Sequence, residues 1–167
     1  LFKGALSFNV SLYQIDYNKY YGTAQFDVNG NTNSDTTIKE YIGKMQSRGV
    51  ELDITGSPTQ QLSIIGGFSY NNSVYRETPD LPNAYIENQR LVRTPATTAN
   101  LAVFYKFSKQ LKGFKIGAQA TYIGNRYAGW NDTKGTMETR HDVSRMFRVD
   151  PFTVLNFSVG YDLKNFS

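Results

Sequence analysis

The amino-acid sequence predicts an all-β protein built as an antiparallel up-and-down meander, and two alternations along the chain predict it. Apolar and polar residues alternate with a period of two in six segments, which places each kind on one face of a strand. The connections also alternate, with short ones at 56–60 and 108–113 and long ones at 73–92 and 124–150. Short turns at one rim and long loops at the other are typical of a transmembrane β-barrel.

The first three predicted strands span residues 4–18, 43–55 and 61–71. In the first strand the apolar positions change parity after Leu12, which predicts a bulge or a change of environment. The long connection that follows contains Asn29-Gly30, a turn dipeptide, and we expect a short hairpin beyond the membrane there. The third strand alternates most regularly, and its apolar face consists of Leu62, Ile64, Gly66, Phe68 and Tyr70.

The last three predicted strands span residues 93–107, 114–122 and 152–162. Each has an apolar face opposite a polar one, as in Ile116, Ala118 and Ala120 against Gly117 and Gln119. Tyrosine and phenylalanine fall at the ends of these faces, next to the turns and loops. Such positions match the aromatic girdles of a membrane barrel, so we expect both a membrane span and two girdles.

Composition excludes several classes of protein. There is no run of about twenty apolar residues, so no transmembrane helix is expected. The chain has no cysteine, which excludes disulfides and zinc–thiolate sites. The net charge is +4, but the basic residues concentrate in the long loops and form no stripe, so we expect no nucleic-acid partner. His141 is the only histidine and no nucleophile motif accompanies it, which argues against an enzyme.

A soluble β-sandwich, such as a carbohydrate-binding module, is the main alternative because its strands also alternate. The apolar faces of the second, third, fifth and sixth strands carry no charge, as hydrocarbon requires. The opposite faces are rich in glycine, serine, threonine, asparagine and glutamine, whereas an exposed sandwich face usually carries more lysine and glutamate. These patterns favour the membrane barrel. Because known single-chain barrels begin at about eight strands, six strands predict either part of a larger barrel or a chain that trimerises to form one pore.

Four stretches of the chain together resemble the TonB-dependent outer-membrane receptors, in particular the ferric-siderophore type. The first is Ser47-Arg48-Gly49-Val50-Glu51-Leu52-Asp53, which is followed after a proline turn by the strand from Leu62 to Tyr70. The others are Val92-Arg93-Thr94-Pro95 through Asn100-Leu101, then Ile123-Gly124-Asn125-Arg126-Tyr127-Ala128, and Val154-Leu155-Asn156-Phe157-Ser158-Val159-Gly160-Tyr161. Each motif is weakly specific, but they occur in the family's order over nearly the whole chain.

The resemblance implies that residues 1–167 are part of a 22-stranded barrel in the bacterial outer membrane. It also implies a plug domain and final strands that this chain lacks, and contact with TonB through that plug. The expected partners are therefore a ferric siderophore or similar chelate, outer-membrane lipid and TonB. Receptors for haem, cobalamin or glycans share these strands and remain alternatives. No cofactor and no protein metal ligand are expected, since the metal arrives within its chelator.

Ligand recognition is expected in the loops and the upper lumen. Aromatic side chains there offer flat surfaces to an organic chelate, and arginines attract an anionic one. The alternative is that the aromatics belong to the girdle or pack loop against loop. The candidate residues are Tyr75, Tyr85, Arg126, Tyr127, Trp130, Arg140, Arg145 and Arg148. Glu51 and Asp53 share the lumen face, where we expect them to bind arginine side chains of the plug or of neighbouring strands.

Overall fold

The computed structural model describes residues 5–24, 26–78, 86–129 and 146–163. Six antiparallel strands form one meander in the order β1-β2-β3-β4-β5-β8. Their bounds are β1 Leu6–Thr23, β2 Lys39–Gly56, β3 Leu62–Arg76, β4 Thr97–Lys106, β5 Phe114–Ile123 and β8 Phe152–Tyr161. A second sheet pairs β6 Arg126–Gly129 with β7 Phe147–Val149. The prediction of an all-β antiparallel meander is confirmed.

The register of every neighbouring pair keeps the apolar residues on one face of the sheet. One row of facing residues crosses all six strands, and it consists of Val10, Leu52, Phe68, Ala99, Tyr122 and Thr153. The next row is Phe8, Ile54, Gly66, Leu101, Ala120 and Leu155. We call this surface the apolar face. The apolar face extends from the row of Leu12, Val50 and Tyr70 down to the rim of the short turns. Within the sheet, none of the residues on this face carries a charge.

The apolar face is uncovered. Leu12 is 81% exposed and Phe157 is 78% exposed, although a soluble sheet would bury such residues. Among the described residues, the buried apolar side chains are Ala24, Phe26, Ile42, Val74, Tyr75 and Ile86, all of which lie on the long-loop side. A sandwich requires a second sheet packed against this face, and the described part of the chain contains none. The sandwich alternative is therefore not favoured.

The aromatic girdles lie where the sequence predicts them. At the short-turn rim the rings of Tyr105, Phe107, Phe114 and Tyr161 form a chain with successive centroid distances of 5.0, 6.3 and 6.1 Å. Tyr70 and Tyr122 end the apolar face at the opposite rim. Tyrosine suits this level because its ring is apolar and its hydroxyl stays wet.

The first three strands extend beyond their predicted bounds, away from the apolar band. On the outward side the rows above Leu12 and Val50 are polar: Arg48 Nε donates to Gln14 Oε1 at 2.9 Å, and Gln46 Nε2 donates to Asp16 Oδ1 at 2.7 Å. At the tip, Phe26 and Thr32 form an isolated bridge, so the hairpin expected beyond the membrane is present. The sheet formed by β1, β2 and β3 therefore extends above the lipid, and we call this extension the wall.

β4 begins later than predicted, at Thr97 instead of Arg93. Arg93 has a φ of 65°, which a strand residue does not adopt, and Pro95 has no N–H to donate to a ladder. The long connection from 124 to 150 also differs from its prediction as a loop. It carries β6 and β7 at its two ends.

Candidate ligand-binding site

The segment from Ile86 to Leu91 folds back along the top of β3, where Arg90 forms an isolated antiparallel bridge with Val74. Leu91 N donates to Ser73 O at 3.0 Å, and Tyr75 N donates to Gln89 O at 3.0 Å. The guanidinium of Arg90 adds a bond from Nη2 to Asn71 O at 2.7 Å. The returning segment therefore occupies the space above β4, and it closes the wall on the long-loop side.

A small apolar cluster holds this segment against the wall. Its buried members are Ile42, Tyr75 and Ile86, and Met45, Leu91, Val92 and Met146 pack against them. Tyr75 faces Met45 across the β2–β3 ladder, on the side opposite the apolar face. We call these seven residues the loop cluster. It lies on the lumen side, above the membrane band.

Tyr75, a predicted ligand residue, is a member of this cluster and is only 3% exposed. Burial raises the pKa of its phenol well above the usual value, and a smaller effect from the backbone of Val92 opposes this. Tyr75 thus packs against other loop residues, which was the alternative to ligand binding that the sequence left open. Its contact with a ligand stays a prediction.

Arg126, Tyr127 and Arg148 come together on the β6–β7 sheet. Tyr127 faces Arg148 across the ladder, while the Arg126 guanidinium carbon lies 5.9 Å from the centre of the Phe152 ring. Arg126 Nη1 is buried without a hydrogen-bond acceptor in the described part of the chain. Arg148 is exposed and its Nε lies 3.6 Å from Asp150 Oδ1. Arg126 therefore has hydrogen-bonding capacity left, whereas Arg148 faces a carboxylate.

Arg93 joins the loop cluster to the β6–β7 sheet. Its backbone N–H donates to Tyr127 O, and its Nε donates to Ala128 O at 3.4 Å. Sequence reasoning placed Arg93 in a membrane strand and missed this role. The signal available was Pro95, which lacks an N–H and so argues against a central strand that continues through this segment.

These elements line an open cavity of about 760 Å³ at the long-loop rim. Of the predicted residues only Tyr75 lines it, while Arg126, Tyr127 and Arg148 lie beside it on β6 and β7. The polar side chains of its lining are Tyr20, Tyr21, Thr23, Lys39, Tyr75, Arg93 and Thr94. None of the lining residues is acidic. Tyr85, Trp130, Arg140 and Arg145, as well as His141, lie outside the described residues.

The charge balance of the cavity favours an anion. Lys39 Nζ donates to Thr23 Oγ1 at 2.9 Å and keeps hydrogens free for another acceptor. The pKa of Asp35 is lowered mainly by hydrogen bonds from Thr37, and the positive charge of Lys39 makes only the smallest contribution. Lys39 and Arg93 thus present two positive charges to a space lined by phenols and apolar groups.

The other candidate features are placed as follows. Glu51 and Asp53 lie on the lumen face, and neither forms an ion pair with another described residue; their partnership with plug arginines stays a prediction. No helix among the described residues is long and apolar enough to cross a membrane. Within those same ranges no three histidine, cysteine, aspartate or glutamate side chains are grouped so that they hold a metal ion.

Comparison with protein families places the chain in context. A family model described as "TonB dependent receptor-like, beta-barrel" matches residues 1–167. An uncharacterized TonB-dependent receptor of Haemophilus influenzae is 26% identical over 160 residues, which cover 95% of this chain and 41% of that protein. The ferrioxamine receptor of Yersinia enterocolitica is 26% identical over 147 residues, which cover 86% of this chain and 18% of the receptor. The chain thus spans less than half the length of these curated relatives.

Solved structures show the same architecture. The siderophore receptor PiuA from Acinetobacter baumannii matches with a TM-score of 0.66 and 18% identity. The match covers 96% of this chain and 20% of PiuA. At this identity the likeness establishes the fold alone. It places the six-stranded meander within the wall of a larger barrel fold.

Proposed function

The chain belongs to the TonB-dependent receptor β-barrel family, and from that premise we propose that it forms part of the wall of a receptor that takes up ferric siderophores or similar chelates. The family consists of outer-membrane transport receptors, so the protein is an outer-membrane receptor barrel and its class is transport, not catalysis. Within this proposal, residues 1–167 are one portion of the barrel. The plug, the remaining strands and the contact with TonB belong to the rest of the receptor.

The single observation that carries the substrate proposal is the cavity at the long-loop rim. It lies on the extracellular side, because the long loops of such barrels are extracellular and the short turns periplasmic. It offers phenols and two cations and no carboxylate. An organic chelate with negative charge matches this lining, since its apolar surface meets the rings and its oxygens meet Lys39 and Arg93.

Arg126 strengthens the same preference from the neighbouring sheet. The guanidinium of Arg126 adds a third positive charge beside the cavity, and its Nη1 has no acceptor among the described residues. The Phe152 ring beneath the guanidinium restricts its orientation. The names of the relatives and neighbours agree with a chelate, since they include receptors for ferrioxamine and for siderophores.

The test uses the purified full-length receptor with two probes, ferric citrate as an anionic chelate and ferrioxamine. We expect Arg126→Gln and Lys39→Gln each to raise the Kd for ferric citrate roughly 10-fold or more, as expected for the loss of a positive charge from the site, and to change the Kd for ferrioxamine less, because ferrioxamine carries no negative charge. Arg48→Gln is the matched control, because Arg48 lies on the outward side of β2 and bonds to Gln14. Its Kd should stay within about twofold of the parent value.

Two results would contradict the proposal. Binding of haem, cobalamin or an oligosaccharide without binding of either ferric chelate would select one of the alternative substrate classes. If Arg126→Gln and Arg48→Gln changed the Kd equally, neither this cavity nor the neighbouring β6–β7 sheet would take part in ligand recognition.

A further inference from the structure

Two rows of facing residues cross the lumen face of the sheet beside the short turns. One row consists of Ser63, Phe104, Gly117 and Ser158. The row at the rim consists of Gln61, Lys106, Lys115 and Gly160. Seven of these residues line an open depression of about 350 Å³, while Gly117 lies beneath the Phe104 ring. We call the eight residues the mouth patch, because the short turns of such barrels mark the periplasmic mouth of the lumen.

The floor of the mouth patch is apolar and exposed, although it faces the watery lumen. Phe104 is 45% exposed, and its ring lies so close over Gly117 that a Cβ there would stand 2.7 Å from it. Ile65, which faces Ala102 in the adjoining row of the lumen face, is 53% exposed. Both residues lie on inner strands, so the open edges of the sheet do not account for their exposure. Adjacent exposed apolar side chains on a polar face indicate that another apolar surface covers them.

The rim side of the mouth patch carries an excess of positive charge. Lys106 and Lys115 face each other directly across the β4–β5 ladder, an arrangement of like charges that destabilises a sheet. Asp162 lies between them, with its Oδ2 3.0 Å from Lys106 Nζ and its Oδ1 paired with Lys115 Nζ. One carboxylate offsets only one of the two ammonium groups, and no acidic residue lines the depression. The lysine pair therefore favours a second carboxylate.

These two features together fit a polypeptide better than a free anion or a lipid. A free anion satisfies the lysines but leaves Phe104 and Ile65 exposed to water. A lipid does not reach the patch, since the lumen face lies opposite the apolar face. A protein segment with a carboxylate beside an apolar side chain satisfies both the lysines and the exposed apolar floor.

We propose that the mouth patch docks an acidic segment of the plug, with a carboxylate between Lys106 and Lys115 and an apolar side chain against Phe104 and Ile65. This inference rests on the proposed function, in which residues 1–167 are one portion of the barrel and the plug belongs to the rest of the receptor. The matched residues make up 41% of one curated relative and 18% of another, so receptors of this size contain enough further chain to supply the segment.

The charges of the lumen face then form two levels. Lys106 and Lys115 give positive charge at the mouth, whereas Glu51 and Asp53 give negative charge nearer the long loops. A plug surface that is acidic at the mouth and basic above it therefore fits this face in one vertical orientation.

The first experiment identifies the partner of the patch in the full-length receptor in vesicles. A photoreactive benzoylphenylalanine takes the place of Phe104, and mass spectrometry identifies the peptide to which it crosslinks. We expect a peptide of the same receptor, from outside residues 1–167, that contains aspartate or glutamate. The same photoreactive residue in place of Phe157, on the apolar face, is the control and should react with lipid. Crosslinks from position 104 only to lipid or to another protein, or to a peptide without an acidic residue, would overturn the proposal.

The second experiment measures hydrogen exchange of the crosslinked peptide in receptors without the photoreactive residue. Lys106→Gln/Lys115→Gln should accelerate its exchange about 10-fold, as expected for the loss of one charge-assisted hydrogen bond. Lys109→Gln/Lys112→Gln removes the same charge from the adjacent turn and should leave the exchange unchanged. Asp162→Asn should slow the exchange, because both lysines then act on the plug carboxylate alone.

A cluster of ion pairs with a structural role alone predicts a different pattern. In that case Asp162→Asn would accelerate exchange just as the loss of Lys106 and Lys115 does, and this result would overturn the proposal. Equal exchange in the two lysine variants would overturn it as well. No chelate enters either experiment, so a failure here is distinguishable from a failure of the proposed substrate class.

Discussion

The phenol of Tyr13 lies across Gly49 on the lumen face, where the two residues face each other in the β1–β2 ladder. Tyr13 Oη accepts a hydrogen bond from Asn71 Nδ2 at 2.8 Å, and the same amide donates to Ser47 Oγ at 3.0 Å. The ring therefore lies along the wall and does not project into the lumen. Only a residue without Cβ leaves room for it.

Gly49→Ala tests this packing. The added Cβ would meet the Tyr13 ring and would also stand 2.6 Å from the backbone oxygen of Tyr70, which cannot move without breaking the ladder. We expect a loss of about 1–3 kcal/mol in unfolding free energy, as for other overpacked sites. Gly160→Ala is the control, since nothing lies within 4 Å of a Cβ there. Urea unfolding in lipid vesicles measures both, and equal stabilities would contradict the contact.

Phe157→Arg tests which face of β8 meets lipid. Phe157 lies in the middle of the apolar face, and an arginine at such depth costs about 2–4 kcal/mol. Its chain neighbour Asn156 faces the lumen beside Gln119, so Asn156→Arg should cost less than about 1 kcal/mol. The temperature at which the folded band of each variant disappears on a gel measures the difference in stability. A larger loss for Asn156→Arg than for Phe157→Arg would reverse our assignment of the faces.

Tyr75→Ala should release the returning segment 86–91. Removing a buried aromatic side chain typically costs about 3–5 kcal/mol, and here the loss falls on the loop cluster and not on the membrane strands. Hydrogen exchange at Gln89 and Leu91 should accelerate in Tyr75→Ala and change little in Tyr17→Ala, whose side chain is 50% exposed. Unchanged exchange in Tyr75→Ala would show that the backbone bonds alone hold the segment.

The hairpin tip should loosen in acid. Backbone N–H groups of Asn31 and then Asn29 bond to the Asp27 carboxylate, and together they hold its pKa below the usual 3.8 against the opposing effect of desolvation. A lowered pKa means that the stabilisation is present above pH 3.8 and is lost as the pH falls through the lower value. The protection factor of the Asn31 amide, which is the intrinsic exchange rate at each pH divided by the rate measured by NMR, should fall at that point as the pH is lowered from 6. Asp27→Asn should abolish this pH-dependent change. If the change survives the substitution, a group other than Asp27 causes it.

The membrane part of the fold is predictable from the sequence because lipid on one side and water on the other impose a period of two. The registers of β4, β5 and β8 follow directly from residues such as Leu101, Ala120 and Leu155. Above the membrane the outward face of β1 and β2 is polar, as Gln14 and Arg48 illustrate, so the alternation typical of a lipid-facing strand disappears while the backbone ladder continues. The extensions therefore escaped prediction.

The candidate site was only partly predictable for a different reason. Arg126 and Tyr127 were identified by residue type, but their link to Arg93 depends on a backbone bond between segments over thirty residues apart. Lys39, Tyr20 and Tyr21 line the cavity because the first hairpin extends above the membrane, which composition alone does not reveal. Tyr75 is buried because segment 86–91 returns over it.

The central claim is that one face of this sheet lies in lipid and the other lines a watery lumen. Spin labels on single cysteines at successive positions 152–161 of β8, in the full-length receptor in vesicles, test it most directly. Accessibility to oxygen, which partitions into lipid, should peak at 153, 155, 157 and 159, and accessibility to a water-soluble nickel chelate at 154, 156, 158 and 160. Equal accessibility of both sets to the nickel chelate, without a period of two, would contradict the claim.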